Sequence, residues 1–262
     1  SALQLWTNHP QIVYYTWMVI GLWWLLNLIF IIVKKESNVK KSLNNLGLML
    51  LSLVISLLMV SDPYYEVYTF QGESNRGAPS VLDDTNDTEK GTKWDYATQW
   101  SFHPSESISL ILPYYYGLQN FSVKDRSNPE KFMKQASYWG YMPFTQSTHY
   151  LGLLIIIISF FSLWYCFKIK DFSRTELYLW IIAIAVLVTG FGSHFSILYK
   201  PLFKLAPFFS KFRVPSMIYM MLSLLLPMIA AIGLDKITNR NNKNTLFDDA
   251  VKIFGMFIAL SL

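Results

Sequence analysis

Five stretches of this chain are apolar over the length of a bilayer crossing. They are 11–33 (QIVYYTWMVIGLWWLLNLIFIIV), 43–61 (LNNLGLMLLSLVISLLMVS), 150–167 (YLGLLIIIISFFSLWYCF), 176–192 (ELYLWIIAIAVLVTGFG) and 214–234 (VPSMIYMMLSLLLPMIAAIGL). A helix of roughly 20 apolar residues spans the hydrocarbon core, and in lipid the backbone must satisfy its own polar groups, so each stretch predicts a membrane helix. A sixth begins near Val251. The expected fold class is all-α: a polytopic transmembrane helix bundle forming a single membrane domain over 1–262. Pro227, inside the fifth stretch, is expected to kink it. Only 15% of residues are charged, against about a quarter in soluble domains, which excludes an ordinary water-soluble fold.

The connections set an expected orientation. KKESNVKK holds Lys34, Lys35, Lys40 and Lys41; KIKDFSR holds Lys168, Lys170 and Arg174; DKITNRNNK holds Lys236, Arg240 and Lys243. Short Lys/Arg-rich connections stay in the cytoplasm, so these alternate loops should face inward. Residues 1–10, 62–149 and 193–213 then lie outside. The net charge of +5 follows from these loops, since the cations flank apolar runs rather than forming a polar face, and no nucleic-acid partner is implied. The single Cys166 excludes an internal disulfide framework. Ser1 at one end and a truncated apolar run at the other lead us to expect a central portion of a larger membrane protein.

The 62–149 loop is too long for a simple connection. It has eleven acids against seven basic residues, as an outer loop should. Its first half is polar and reads as irregular. In its second half, PSESISLILPYYYGL gathers Ile108, Leu112 and Tyr115 on one side until Pro113. PEKFMKQASYWGYM starts with Pro129 and sets Phe132, Met133, Ala136 and Trp139 on a helical stripe. Both are expected to be helices lying in the membrane interface.

Chemistry should sit on the outer face, because no span holds Asp, Glu, Lys, Arg or His in its interior. That disfavours an ion-coupled transporter, which needs ionisable groups near the midplane. His9, His103, His149 and His194 all map to the outer side. With Asp62, Glu66, Asp95 and Glu106 they could supply metal ligands, yet no HxH or HxxxH spacing occurs, and no metal site is assigned. The loop SHFSILYKPLFKLAPFFSKFRVPS is more informative. It carries Lys200, Lys204, Lys211 and Arg213 and no acid, on the side where short basic loops are disfavoured. Lipid phosphates at that depth would compensate them, with Arg213 offering a two-point fork. Arg76 and Glu106 stand out as charges in small or apolar surroundings. Asn8, His9 and Gln11 cluster at the outer mouth of the first span, as caps or as ligand contacts.

ALQLWTNHPQIVYY, ESNRGAPS, DYATQWSFHPSESISLILPYYYG, YWGYMPFTQSTHYLG and LYKPLFKLAPFFSKFRVPSMI together resemble the YfhO family of bacterial multi-pass membrane proteins, in particular its Bacteroidetes-type members. The DYATQWS and FRVPS blocks are the most specific. The resemblance implies a GT-C-like glycosyltransferase in the bacterial inner (cytoplasmic) membrane, with 62–149 as a periplasmic loop. The donor would be a polyprenyl-phosphate-linked sugar, its carrier phosphate held by Lys200, Lys204, Lys211 or Arg213. Arg76, Glu106 and His9 complete the expected substrate-binding set. The catalytic carboxylate of such enzymes lies in the first outer loop, which is expected to precede residue 1. No other cofactor is identified. The alternative is a non-catalytic accessory subunit of an inner-membrane export or envelope-biogenesis complex, using Tyr114, Tyr115, Tyr116, Trp139 and Tyr141 as anchors for other inner-membrane proteins.

Overall fold

The structure, a computed structural model, describes residues 2–7, 9–71, 94–117, 121–124, 132–135, 137–143 and 149–238. It is mostly helical. After a short helix α1 (Ala2–Trp6), Pro10 opens α2 (Pro10–Val33), where its missing N–H is no loss because a first-turn N–H has no intrahelical partner. Lys35 takes a left-handed conformation (φ 53°) and reverses the chain into α3 (Val39–Met59). A further helix, α4 (Ser61–Gln71), follows directly in what reads from sequence as loop. Later come α5 (Trp94–Ala97), α6 (Leu153–Ile169) and α7 (Arg174–Gly190). The last part holds α8 (Tyr199–Leu205) and a 3₁₀ turn, Pro215–Met221, that runs into α9 (Leu222–Thr238).

All five expected spans are helical within a few residues of the expected limits. The sixth lies outside the described residues. Among the described residues, three helical runs are long and apolar enough to cross a membrane: Pro10–Val33, Val39–Met59 and Pro215–Lys236. α6, a shorter apolar helix of 17 residues, is at the short end of the spanning range; α7 also has 17 residues but opens with Arg174 and Glu176. The fold is therefore compatible with an integral membrane protein.

The core lies where α7 and α9 meet α2 and α6. Leu179, Ile182, Ile229 and Tyr219 are almost fully buried there. Small residues permit close helix approach: a Cβ at Gly190 would run into the ring of Tyr219. Ser159 Oγ, 3.0 Å from the Leu226 carbonyl, ties α6 to α9 just before Pro227. α3 is mostly exposed along its length, the pattern of a helix whose apolar surface meets lipid.

The two ends of the bundle differ. At one, the Lys/Arg-rich connections converge: Arg174 pairs with Glu36 at 2.7 Å, and Lys236 donates to the Asp171 carbonyl at 2.8 Å. Lys236 also pairs with Glu176, which closes a capping box with Ser173 at the start of α7. The opposite end is built from residues 94–117, 137–143 and the 193–214 connection.

The second half of the 62–149 loop departs from expectation in two further places. Residues 132–135 form a strand, β2 (Phe132–Gln135), paired antiparallel with β1 (Phe121–Lys124), Val123 opposite Met133. The expected second interfacial helix is therefore corrected to a hairpin. The sequence between the strands, DRSNPEK, is rich in turn formers, and FSV and FM supply aromatic and β-branched strand residues. The first expected interfacial helix is a 3₁₀ turn, Pro104–Leu110, that ends before Pro113. Its three-residue repeat buries Glu106 and Ser109, while Leu112 and Tyr115 stay exposed. It packs into the core through Glu106, Ser109 and Leu110 as a 3₁₀ turn in place of the expected α-helix.

A candidate anion site at the loop end

Residues 94–110 are drawn into the bundle by main-chain pairing and by one aromatic. Phe102 N donates to the Gly190 carbonyl (3.1 Å), and Leu151 N to the Leu110 carbonyl (3.1 Å). The Phe102 ring, fully buried, meets Tyr219 at 5.0 Å and His149 at 5.7 Å. At Gly192 the backbone is left-handed (φ 52°), and a side chain there would collide with Ser101. Ser101 Oγ instead accepts from Ser193 N at 2.9 Å.

This docking sets DYATQWS against FRVPS. The Arg213 guanidinium carbon lies 4.2 Å from the ring centroids of both Tyr96 and Trp100, and the side chain donates to the Tyr96 hydroxyl. Such contacts engage the faces of the guanidinium and contribute about 0.5–2 kcal/mol each as desolvation increases. One in-plane N–H is used by Tyr96, and Nε is buried without a hydrogen-bond partner among the described residues. From α2, Gln11 donates to the Arg213 carbonyl and to the Tyr15 hydroxyl, and Tyr14 donates to the Pro207 carbonyl at 2.8 Å. Val214 is held at φ 62°, ψ 74°, a costly conformation for a β-branched residue. The chain around Arg213 is thus clamped, which fixes where its fork points.

The other expected residues distribute unevenly. Lys200 and Lys204 are exposed, one turn apart on α8. Lys211 is half-buried in a separate 3₁₀ turn, because α8 stops at Leu205 and Ala206 is extended. Arg76 and Asn8 lie outside the described residues. His9 precedes α2, exposed, and its side chain makes no cap bond. Glu106 is 1% exposed; it accepts from the Tyr138 hydroxyl at 2.7 Å and from Tyr141 N at 2.8 Å. Its carboxylate anchors the 137–143 segment from within. Sequence reasoning missed Tyr96 and Trp100 as Arg213 partners; an aromatic-flanked DYATQWS block gives composition but no pairing.

The histidines converge in part. The His103 ring stacks on Tyr141 at 4.0 Å and meets His194 edge-on at 4.9 Å, while His103 Nδ1 lies 2.6 Å from Ser105 Oγ. Burial lowers the pKa of His194, the neighbouring His103 lowers it further, and Glu106 offsets part of that. Burial lowers His149 to about 4. Burial and the bond to Glu106 both raise Tyr138. Among the described residues no group of three or more His, Cys, Asp or Glu is placed to hold a metal ion. In comparisons with known proteins, no family model, no curated protein and no solved structure matches this chain.

Proposed function

We propose that this chain is part of a membrane enzyme that handles a phosphate-bearing lipid at the Arg213 face. In its specific form it is a GT-C-type glycosyltransferase of the YfhO kind, taking a sugar from a polyprenyl-phosphate carrier. One observation carries the reading: the Arg213 side chain is fixed beside two aromatic rings, and its buried Nε has no hydrogen-bond partner among the described residues. A planar fork held this way suits a tetrahedral oxyanion, which accepts two parallel hydrogen bonds. The exposed Lys200 and Lys204 add positive charge on the same connection. As a glycosidic bond to the carrier phosphate breaks, negative charge builds on that phosphate, and a prepositioned guanidinium stabilises it. No residue of this chain is assigned as catalytic base.

The test is binding of undecaprenyl phosphate to the purified, detergent-solubilised protein by native mass spectrometry. Arg213→Gln and Arg213→Lys should each weaken binding about tenfold, since a charge-assisted pair contributes about 1.5–3 kcal/mol and lysine lacks the fork. Unchanged binding in a folded Arg213→Gln variant overturns the reading. The accessory-subunit reading draws on a different observation: Tyr114, Trp139 and Tyr141 are well exposed on neighbouring segments of the loop end. It predicts a stoichiometric partner lost on Trp139→Ala and retained on Arg213→Gln.

A further inference from the structure

The opposite end of the molecule holds an open pocket of about 190 Å³ between α2, α3 and the start of α7. Its polar lining is Asn27, Asn38, Asn45, Ser42, Lys41 and Arg174. Three amides, a hydroxyl and two cations converge there, with Glu36 as the acid. Glu36 pairs with Arg174 at 2.7 Å, and the Arg174 guanidinium also lies 3.8 Å from the Phe30 ring centroid, so its position is fixed from two sides. Lys34, Lys35 and Lys40 of the same connection add to the positive field.

Two observations point to an occupant. Ser42 is 3% exposed, and its Oγ has no hydrogen-bond partner among the described residues, although its carbonyl accepts from Trp24 Nε1 at 2.9 Å. Buried hydroxyls in native proteins are nearly always satisfied, so an unpaired one lining a polar pocket marks a missing acceptor or donor. Ile31 also lines the pocket, and α2 and α3, which form it, carry exposed apolar side chains, among them Ile32 (56%), Leu43 (51%) and Leu48 (65%). An occupant therefore needs a phosphate for the cations, oxygens for the amides and hydroxyl, and hydrocarbon for the flanks.

We propose that this pocket seats the headgroup of an anionic glycerophospholipid, its phosphate between Lys41 and Arg174 and its remaining oxygens against the asparagine amides and Ser42. The acyl chains run along the exposed faces of α2 and α3. Basic pockets between membrane helices on the cytoplasmic side are suited to such headgroups. The inference is independent of the Arg213 reading, which concerns the other end.

The experiment is lipid titration of the delipidated full chain by native mass spectrometry, with thermal unfolding in parallel. Phosphatidylglycerol should bind about tenfold tighter than phosphatidylcholine, and Lys41→Gln should remove that preference. Ser42→Ala should weaken phosphatidylglycerol binding several-fold while leaving the lipid-free protein at least as stable, because it deletes an unpaired group. A destabilised fold would change both in the same direction. Lys124→Gln, exposed on β1 and part of neither candidate site, should bind phosphatidylglycerol as wild type does. Equal affinity for the two lipids, or an unaffected Lys41→Gln, overturns the proposal. So does free glycerol phosphate binding as tightly as the lipid, which would assign the pocket to a soluble phosphate ester.

Discussion

His149 shows how one buried side chain at the loop end couples the fold to pH. It sits against Phe102 and Tyr219, and burial holds its pKa at about 4. Unfolded, an imidazole titrates near 6.5, so between these values the unfolded chain binds the extra proton and the folded chain does not. The stabilising contribution is complete above pH 6.5 and is lost as pH falls towards 4. The ceiling is about 3 kcal/mol. Thermal unfolding in detergent at pH 7 and pH 4.5 should show a marked drop for the wild type and a smaller one for His149→Phe, which keeps the ring contacts and cannot protonate. Identical pH dependence in the two would remove His149 as the cause. Individual residues also mark the limit of sequence reading. Arg213 is legible as an unusual cation beside a span, but Tyr96 and Trp100 lie more than a hundred positions away, and no local pattern links them. Glu176 reads as the edge of an apolar run. That it is 1% exposed and paired with Lys236 depends on where α9 ends in space.

At the level of elements, helix identity followed from apolar length because a membrane helix needs nothing beyond its own backbone bonds. Residues 132–135 did not follow, since a four-residue strand exists only through its partner and the apolar spacing there fits a helix equally well. The Pro104–Leu110 turn differs for a related reason: its apolar content reads as a helix at the membrane surface, whereas Phe102 and Glu106 draw it inward. The contact between Gly190 at the end of α7 and Tyr219 is what admits this segment. Gly190→Ala would push a methyl group into the Tyr219 ring and lift the carbonyl that receives Phe102 N. Overpacking of this kind costs about 1–3 kcal/mol. Hydrogen exchange should show lost protection across residues 98–110 in Gly190→Ala, with protection in α3 unchanged. Adding Tyr219→Leu should restore part of it. Protection that persists in Gly190→Ala would mean that residues 94–110 are held by other contacts.

For the whole molecule, the decisive property is that its two ends are chemically different. Glu36 with Arg174, and Lys236 with Asp171 and Glu176, show that connections far apart in sequence share one end. Gln11 with Arg213 and Ser193 with Ser101 do the same for the other. By the positive-inside rule the first end is expected in the cytoplasm, because three short Lys/Arg-rich connections outweigh the single basic connection at the loop end. Both proposed lipid sites inherit their leaflet from this expectation: the phosphate at Arg213 would belong to the outer leaflet and the headgroup at Lys41 to the inner one. Single cysteines placed in a Cys166→Ser background test it directly. In intact cells a membrane-impermeant maleimide should label Lys204→Cys, which is exposed on α8. Lys40→Cys and Lys170→Cys should react only after the membrane is permeabilised. Labelling of positions 40 and 204 from the same side would contradict the bundle itself, because the structure puts them at opposite ends. Labelling of position 40 alone in intact cells would keep the bundle and invert it, moving the Arg213 face into the cytoplasm and removing the periplasmic reaction proposed there.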